Sequence, residues 1–300
     1  MTDSARTKPS TWRVLLNLGR ISNLPTVWTN VWAGAALSGA HPSVAALIEC
    51  MIALSLLYVG GMFLNDAFDR HIDKEQRPER PIPSGQISAT AVFGIGFALL
   101  AGGTLTATLT ASLVTAGSLI GSLVSAAALC GAIVAYNVRH KGNAVAPFIM
   151  GLCRALVYTT SALTLGGRLT PALLVGGLGL LLYVVGLTFV ARGENKGVLE
   201  SPSALAFLFA PTLAFAWLAQ QQSGEAFLLS GALWLIWLSY CLRPLLRGQS
   251  SVMRAVVQLI AGVSLVDAAL AGVLAGPWSL AVGALGTGCT LFLQRAVRGT

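Results

Sequence analysis

The sequence predicts an all-α fold: a multi-span transmembrane helical bundle of nine or ten helices forming one domain. Three observations carry this. Only 10% of the 300 residues are charged and the mean hydropathy is +0.75, whereas soluble domains are about a quarter charged. Apolar stretches of bilayer-spanning length, roughly 20 residues, recur from end to end. Between them, positive residues gather in every second loop, which marks those loops as cytoplasmic. The net charge of +8 then reflects topology and gives no reason to expect a nucleic-acid partner.

The elements follow in order. Residues 1–20 are polar and basic, with Arg6, Lys8, Arg13 and Arg20. They are expected to form a flexible cytoplasmic segment ahead of a single domain over 21–300, with no separable signal peptide. The first span, 22–40, opens on RISNLPT, where Asn23 reads as a polar pocket residue or as a helix-start signal. The second, 44–64, runs into NDAFDRHID at 65–73, which holds three of the chain's 11 acids. If the helix continues, Asn65, Asp69 and Asp73 share a face at i, i+4 and i+8, and Asp66 joins them. Four oxygen-bearing groups so placed repel one another unless a cation lies between them, and oxygen ligands suit Mg²⁺. The following KEQRPERPIPSG adds Arg77 and Arg80, and its prolines stop the helix.

Spans 88–108 and 112–136 are crowded with small residues, which permits close helix packing. At the foot of the second of these, YNVRHKGN (136–143) offers Tyr136, Arg139 and Lys141 to an anion; a positive-inside anchor would account for the two cations alone. Span 146–165 buries Arg154 about eight residues, roughly 12 Å, inside. An arginine at that depth is costly and faces a polar cavity or a paired acid. Span 172–190 leads into ARGENKG, where Arg192, Glu194, Asn195 and Lys196 combine oxygen ligands with cations, or simply form a polar turn. Spans 203–220 and 226–242 carry no such group. Span 254–274 places Asp267 mid-membrane, a functional carboxylate or a paired structural one. Span 278–294 has the weakest signal, hence nine or ten. The five cysteines sit singly in apolar stretches and read as small buried residues.

Carboxylates that suit a metal, several cations and a deep apolar bundle together fit a ligand with a diphosphate head and a hydrocarbon tail. Mg²⁺ bridges the diphosphate while Arg80, Lys141 and Arg154 donate charge-assisted hydrogen bonds. A diphosphate so neutralised is a competent leaving group, and an allylic carbon can ionise where water is excluded.

Asn65 to Asp73 matches NDxxDxxxD and Arg80 to Gly85 matches RPIPSG, and this pair resembles the first motif of the UbiA superfamily of intramembrane prenyltransferases. Tyr136 to Asn143 is similar as well. The resemblance implies a helical bundle, usually of nine spans, around a central apolar cavity with a cytoplasmic polar cap. It implies Mg²⁺ as cofactor, a prenyl diphosphate donor, and a hydrophobic or amphiphilic small-molecule acceptor within the lipid bilayer of the cell (inner) membrane. The family's second motif, an aspartate-bearing stretch after span six, here reads ARGENKG with no aspartate. Either Glu194 and Asn195 serve as ligands, or Arg192 and Lys196 replace a second metal. ARGEN, RISNLPT and the Asp267 helix resemble the EboC-like branch.

Together these readings assign catalysis to Asp66, Asp69, Asp73 and Arg154, and metal binding to Asn65, Asp66, Asp69, Asp73, Glu194 and Asn195. Substrate binding falls to Asn23, Arg77, Arg80, Tyr136, Arg139, Lys141, Arg192, Lys196 and Asp267. The alternatives are a terpene cyclase using the same first step, or a non-catalytic binder of lipid diphosphates.

Overall fold

The computed structural model describes residues 11–114, 117–140, 142–193, 199, 201–221, 228–245 and 252–297. Lys141, Glu194, Asn195 and Lys196 lie outside the described residues. Among those described, every regular element is helical: α1 (Thr11–Leu18), a 3₁₀ turn (Ile21–Asn23), α2 (Leu24–Leu37), α3 (Val44–Gln76), α4 (Ala89–Leu113), α5 (Leu119–Arg139), α6 (Ala146–Thr164) and α7 (Pro171–Arg192). A 3₁₀ segment (Pro202–Phe209), α8 (Ala210–Ala219), α9 (Leu228–Leu245), α10 (Val252–Ala275) and α11 (Trp278–Leu293) complete the chain. Each of the ten predicted spans thus finds a helical segment. Seven are long and apolar enough to cross a bilayer, namely α3 to α7, Pro202–Ala219 and α10, with α9 and α11 shorter. The protein is a multi-pass integral membrane protein.

The start of the chain packs against the bundle. Residues 11–18, within the stretch expected to be flexible, form α1. Val14 and Leu18 bury against Phe63, Ala67 and Val92 of α3 and α4, so the apolar side of this short helix has a place to go.

Two features position the site. First, α3 has 33 residues, about 50 Å at 1.5 Å per residue, whereas the hydrocarbon core is about 30 Å thick. The helix is longer than that core, and the charged residues gathered in its last turns mark the end suited to water, where the acids lie. The helix stops at Gln76, ahead of the prolines of the next loop. Second, α2 is an interior helix, packed against α3, α6, α10 and α11. Beside it α10 is the most enclosed long helix, buried along most of its length, whereas α4 and α5 are largely exposed to the outside of the bundle. The helices approach closely where side chains are absent. A Cβ on Gly34 of α2 would stand 2.1 Å from Ser161 Oγ and 2.7 Å from the Tyr158 carbonyl of α6.

Candidate active site

One face of α3 changes character along its length. Leu54, Leu57, Tyr58, Gly61 and Met62 line an apolar cavity. The same stripe, continued by helical spacing, becomes Asn65, Asp66, Asp69 and Asp73, all buried. The helical register predicted for these four is the one observed. From Leu54 to Asp73 the stripe runs roughly 28 Å.

Cations and amides from other segments close over the acid end. The turns after α3 bring Arg80 back, and its Nη1 donates to Asp66 Oδ1 at 3.2 Å and to Asp73 Oδ2 at 2.9 Å. Arg20 arrives from the turn before α2. Its Nη2 donates to Asn65 Oδ1 at 3.2 Å and lies 3.6 Å from Asp66. Arg20 holds a left-handed backbone, φ 43°, which costs a non-glycine residue about 1–3 kcal/mol and persists where surroundings over-determine it. From α5, His140 Nε2 lies 3.3 Å from Asp69 Oδ2, and Tyr136 stacks on its ring. Asn137 accepts from Asn65 Nδ2 and donates to the Gly61 carbonyl, tying α5 to the turn where apolar wall gives way to acid.

Deeper in, the cavity is walled by α2, α3, α5 and α6, with Val27, Leu129, Ile133, Met150 and Val157 opposite the α3 stripe. Tyr136, Asn137 and Arg154 are the polar groups on its wall besides Tyr58. Arg154 donates to Asn30 Oδ1 at 2.7 Å and to Thr26 Oγ1 at 3.0 Å, with its guanidinium 5.7 Å from the Tyr58 ring centre. Asp267 is fully enclosed and accepts from Asn30, Thr29 and Tyr158. Asn23 joins Tyr58 to Gln294 of the segment after α11.

Of the predicted site residues, the structure brings together Asn65, Asp66, Asp69, Asp73, Arg80 and Tyr136. Arg154 stands apart from the carboxylates, in the cavity wall. Arg139 is exposed at the end of α5. Arg192 donates to the Asn143 carbonyl and lies over Phe189. Arg77 caps α3 through its backbone N–H on the Asp73 carbonyl. Arg20, Asn137, His140 and Asn30 were not singled out as site residues. In the sequence Arg20 reads as a topology charge, and nothing sets Asn137 and His140 apart within YNVRHKGN. Asn23, Thr26 and Asn30 recur at i, i+3 and i+7, a polar stripe that a helical reading of α2 makes visible.

The donor set can be tested against Mg²⁺. Its oxygens suit a hard cation, and a single positive nitrogen, Arg80 Nη1, already bridges two of the carboxylates at 2.9 and 3.2 Å. Yet among the described residues no three Asp, Glu, His or Cys side chains are gathered about one point. Asp66 and Asp73 turn to Arg80 while Asp69 turns to His140. The residues fit the ion by chemistry and by shared face, and the arginine holds a place that a cation would take.

Known proteins share this sequence pattern and this fold. A digeranylgeranylglyceryl phosphate synthase of Ignicoccus hospitalis is 45% identical over 93 residues, 31% of this chain and 30% of that protein. The match thus spans under a third of that curated relative. A solved structure of digeranylgeranylglyceryl phosphate synthase in membranes superposes with a TM-score of 0.63 at 20% identity, covering 88% of this chain and all but 1% of that one, at 99%. A UbiA homologue from Archaeoglobus fulgidus bound to DMAPP and Mg²⁺ gives 0.59 at 11% identity, over 84% and 99% of the two chains. These likenesses show a shared fold. The sequence profile described as the UbiA prenyltransferase family matches residues 26–240, most of the chain, and this protein belongs to that family.

Proposed function

We propose that the protein transfers a prenyl group from a prenyl diphosphate to a hydrophobic or amphiphilic acceptor within the membrane, with Mg²⁺ as cofactor. The observation that carries this reading is the single face of α3, apolar against the cavity from Leu54 to Met62 and acidic from Asn65 to Asp73. A ligand lying along it meets hydrocarbon at one end and buried acids with arginines at the other, which is the division of a prenyl diphosphate. The relative named as a digeranylgeranylglyceryl phosphate synthase and the neighbour bound to DMAPP and Mg²⁺ support the same substrate class.

Asn65, Asp66, Asp69 and Asp73 would hold Mg²⁺, which when bound neutralises phosphate oxygens and improves the leaving group. Arg80 and Arg20, now on those carboxylates, are placed to donate to the phosphate oxygens as charge-assisted partners. The apolar wall keeps water from the allylic carbon. There the C–O bond breaks and its electron pair leaves with the diphosphate. The acceptor's nucleophile forms the new bond to carbon and gives up its proton. The cavity is narrow, about 90 Å³. Met62 and Met150, unbranched and flexible, are the wall residues suited to yield to a chain.

The carboxylate end faces the cytoplasm of the cell membrane in this proposal. Arg70, Lys74, Arg77, Arg80, Arg139, Arg192 and Arg243 all lie at or beyond the ends of α3, α5, α7 and α9, while Arg168 is the only Lys or Arg in the opposite loops.

Incubation of the purified protein with labelled geranylgeranyl diphosphate and Mg²⁺ tests the reading. Diphosphate release with a prenylated acceptor is expected when membrane lipid extract is supplied. A cyclised product formed without acceptor assigns the cyclase reading, and binding without release assigns a non-catalytic binder; either outcome overturns the proposal.

A further inference from the structure

Arg154 on α6 and Asp267 on α10 are opposite charges inside the bundle, and one amide joins them. Asn30 Nδ2 donates to both Asp267 oxygens at 2.8 Å, and its Oδ1 accepts from Arg154 Nη1 at 2.7 Å. Tyr158 Oη, at 2.6 Å, and Thr29 Oγ1 also donate to the carboxylate. Asp267 has no exposed surface and lines no part of the cavity. Any action on a ligand, the role the sequence assigns to it, would run through the residues that enclose it.

Its chemistry nevertheless reaches the cavity. An ionised carboxylate only accepts hydrogen bonds, so it dictates the orientation of the Asn30 amide. The NH₂ must face Asp267, which leaves Oδ1 facing the guanidinium. Thr26 is fixed in the same sense. Its hydroxyl donates to the Asn23 carbonyl at 2.7 Å, so its oxygen is left to accept from Arg154. Two oriented acceptors and the Tyr58 ring thus hold a guanidinium that has five N–H donors. The two bonds described above occupy two of them. Arg154 lines the cavity at the level of Tyr58, seven residues and roughly 10 Å below Asn65.

We infer that Asp267 and Asn30 are positioning residues: through one oriented amide they aim the remaining donors of Arg154 into the cavity, toward the phosphate oxygens nearest the prenyl chain of a bound prenyl diphosphate. The inference rests on the prenyl-transfer reading. It replaces direct contact by Asp267 with an action at one remove, and it explains why a carboxylate and an arginine are both retained in the bundle without a direct ion pair.

The test is a binding cycle on the purified full-length protein in detergent with Mg²⁺, using a slowly reacting geranylgeranyl thiolodiphosphate as probe. Asp267→Asn offers an NH₂ that lets the Asn30 amide turn over, and it should weaken binding about tenfold, the scale of one charge-assisted hydrogen bond. In an Arg154→Met background the same substitution should change affinity less than about twofold, because its only route is gone. Tyr158→Phe removes a hydrogen bond to the same carboxylate on a path that does not lead to Arg154. It should lower the melting temperature and leave affinity unchanged, which a purely structural carboxylate would not do selectively. Asn30→Leu enters the cycle in place of Asp267→Asn if that protein does not fold. Wild-type affinity in Asp267→Asn, or an undiminished loss in the Arg154→Met background, overturns the inference. A wild type that binds no probe overturns the prenyl-transfer reading and this inference with it.

Discussion

Arg80→Met separates a cation site from an ordinary surface ion pair. Arg80 Nη1 is the shared partner of Asp66 and Asp73, and the three side chains are 16%, 11% and 5% exposed. Methionine keeps most of the stem and leaves two largely enclosed carboxylates without that nitrogen. Breaking a buried pair by removing one partner costs about 3–5 kcal/mol, and the residual exposure of Arg80 puts this case near the lower figure. At about 2 °C per kcal/mol, the melting temperature should fall by roughly 6 °C without Mg²⁺. Mg²⁺ at about 100 times its Kd returns roughly 2.7 kcal/mol by linkage, so most of the loss should be recovered. Wild type, whose arginine competes for the same oxygens, should gain less. A thiol-reactive fluorophore reading the fully enclosed Cys50 and Cys241 reports melting in detergent, and activity is not involved. If Arg80→Met melts as wild type does without Mg²⁺, or stays equally low at saturating Mg²⁺, the carboxylates do not form a cation site.

Four further outcomes are expected. Asp69→Ala should abolish diphosphate release from geranylgeranyl diphosphate while Cys50 stays protected; release at the wild-type rate contradicts its role. Gly34→Ala drives a methyl into the Tyr158 carbonyl and Ser161 Oγ and should destabilise by about 1–3 kcal/mol, read as a lower melting temperature; an unchanged one refutes the close α2–α6 crossing. Gln86→Cys, placed at an exposed position after α3 in a Cys289→Ser background, should react with a membrane-impermeant maleimide in inverted vesicles and not in intact cells. The reverse pattern puts the carboxylates on the outer side. Glu194→Gln should shift the Mg²⁺ dependence of diphosphate release to higher concentration, because a hard cation follows ligand charge. An unmoved curve removes Glu194 from the metal's ligands.

How much of this was legible in the sequence varies by kind of residue. The spans were readable because a bilayer demands long apolar helices, and the acids of α3 because carboxylates in helical register are rare in so apolar a chain. Arg80 could be placed by RPIPSG, a few residues on. Arg20 could not, since a cytoplasmic arginine serves topology equally well, and only the turn before α2 swings it onto Asn65 and Asp66. The polar face of α2 was hidden for a different reason. Lipid and bundle interior are both apolar, so hydrophobic periodicity does not mark the inward face, and Thr26, Thr29 and Asn30 are too small and uncharged to stand out singly. Asp267 was visible as costly, but its partners lie 109 to 238 positions away in sequence. The sequence therefore exposed the charge and concealed the amide that links it to Arg154.

In the proposed reaction the metal and the diphosphate meet at the acid end of the α3 stripe, above the apolar cavity. Anomalous scattering from Mn²⁺, substituted for Mg²⁺ in crystals grown with geranylgeranyl thiolodiphosphate, tests it most directly. A Mn²⁺ peak is expected among Asp66, Asp69 and Asp73, with Arg80 moved from those carboxylates to the phosphate oxygens and the prenyl chain directed past Arg154 toward Leu57 and Leu54. A peak elsewhere, or Arg80 still bridging Asp66 and Asp73 beside bound ligand, contradicts it.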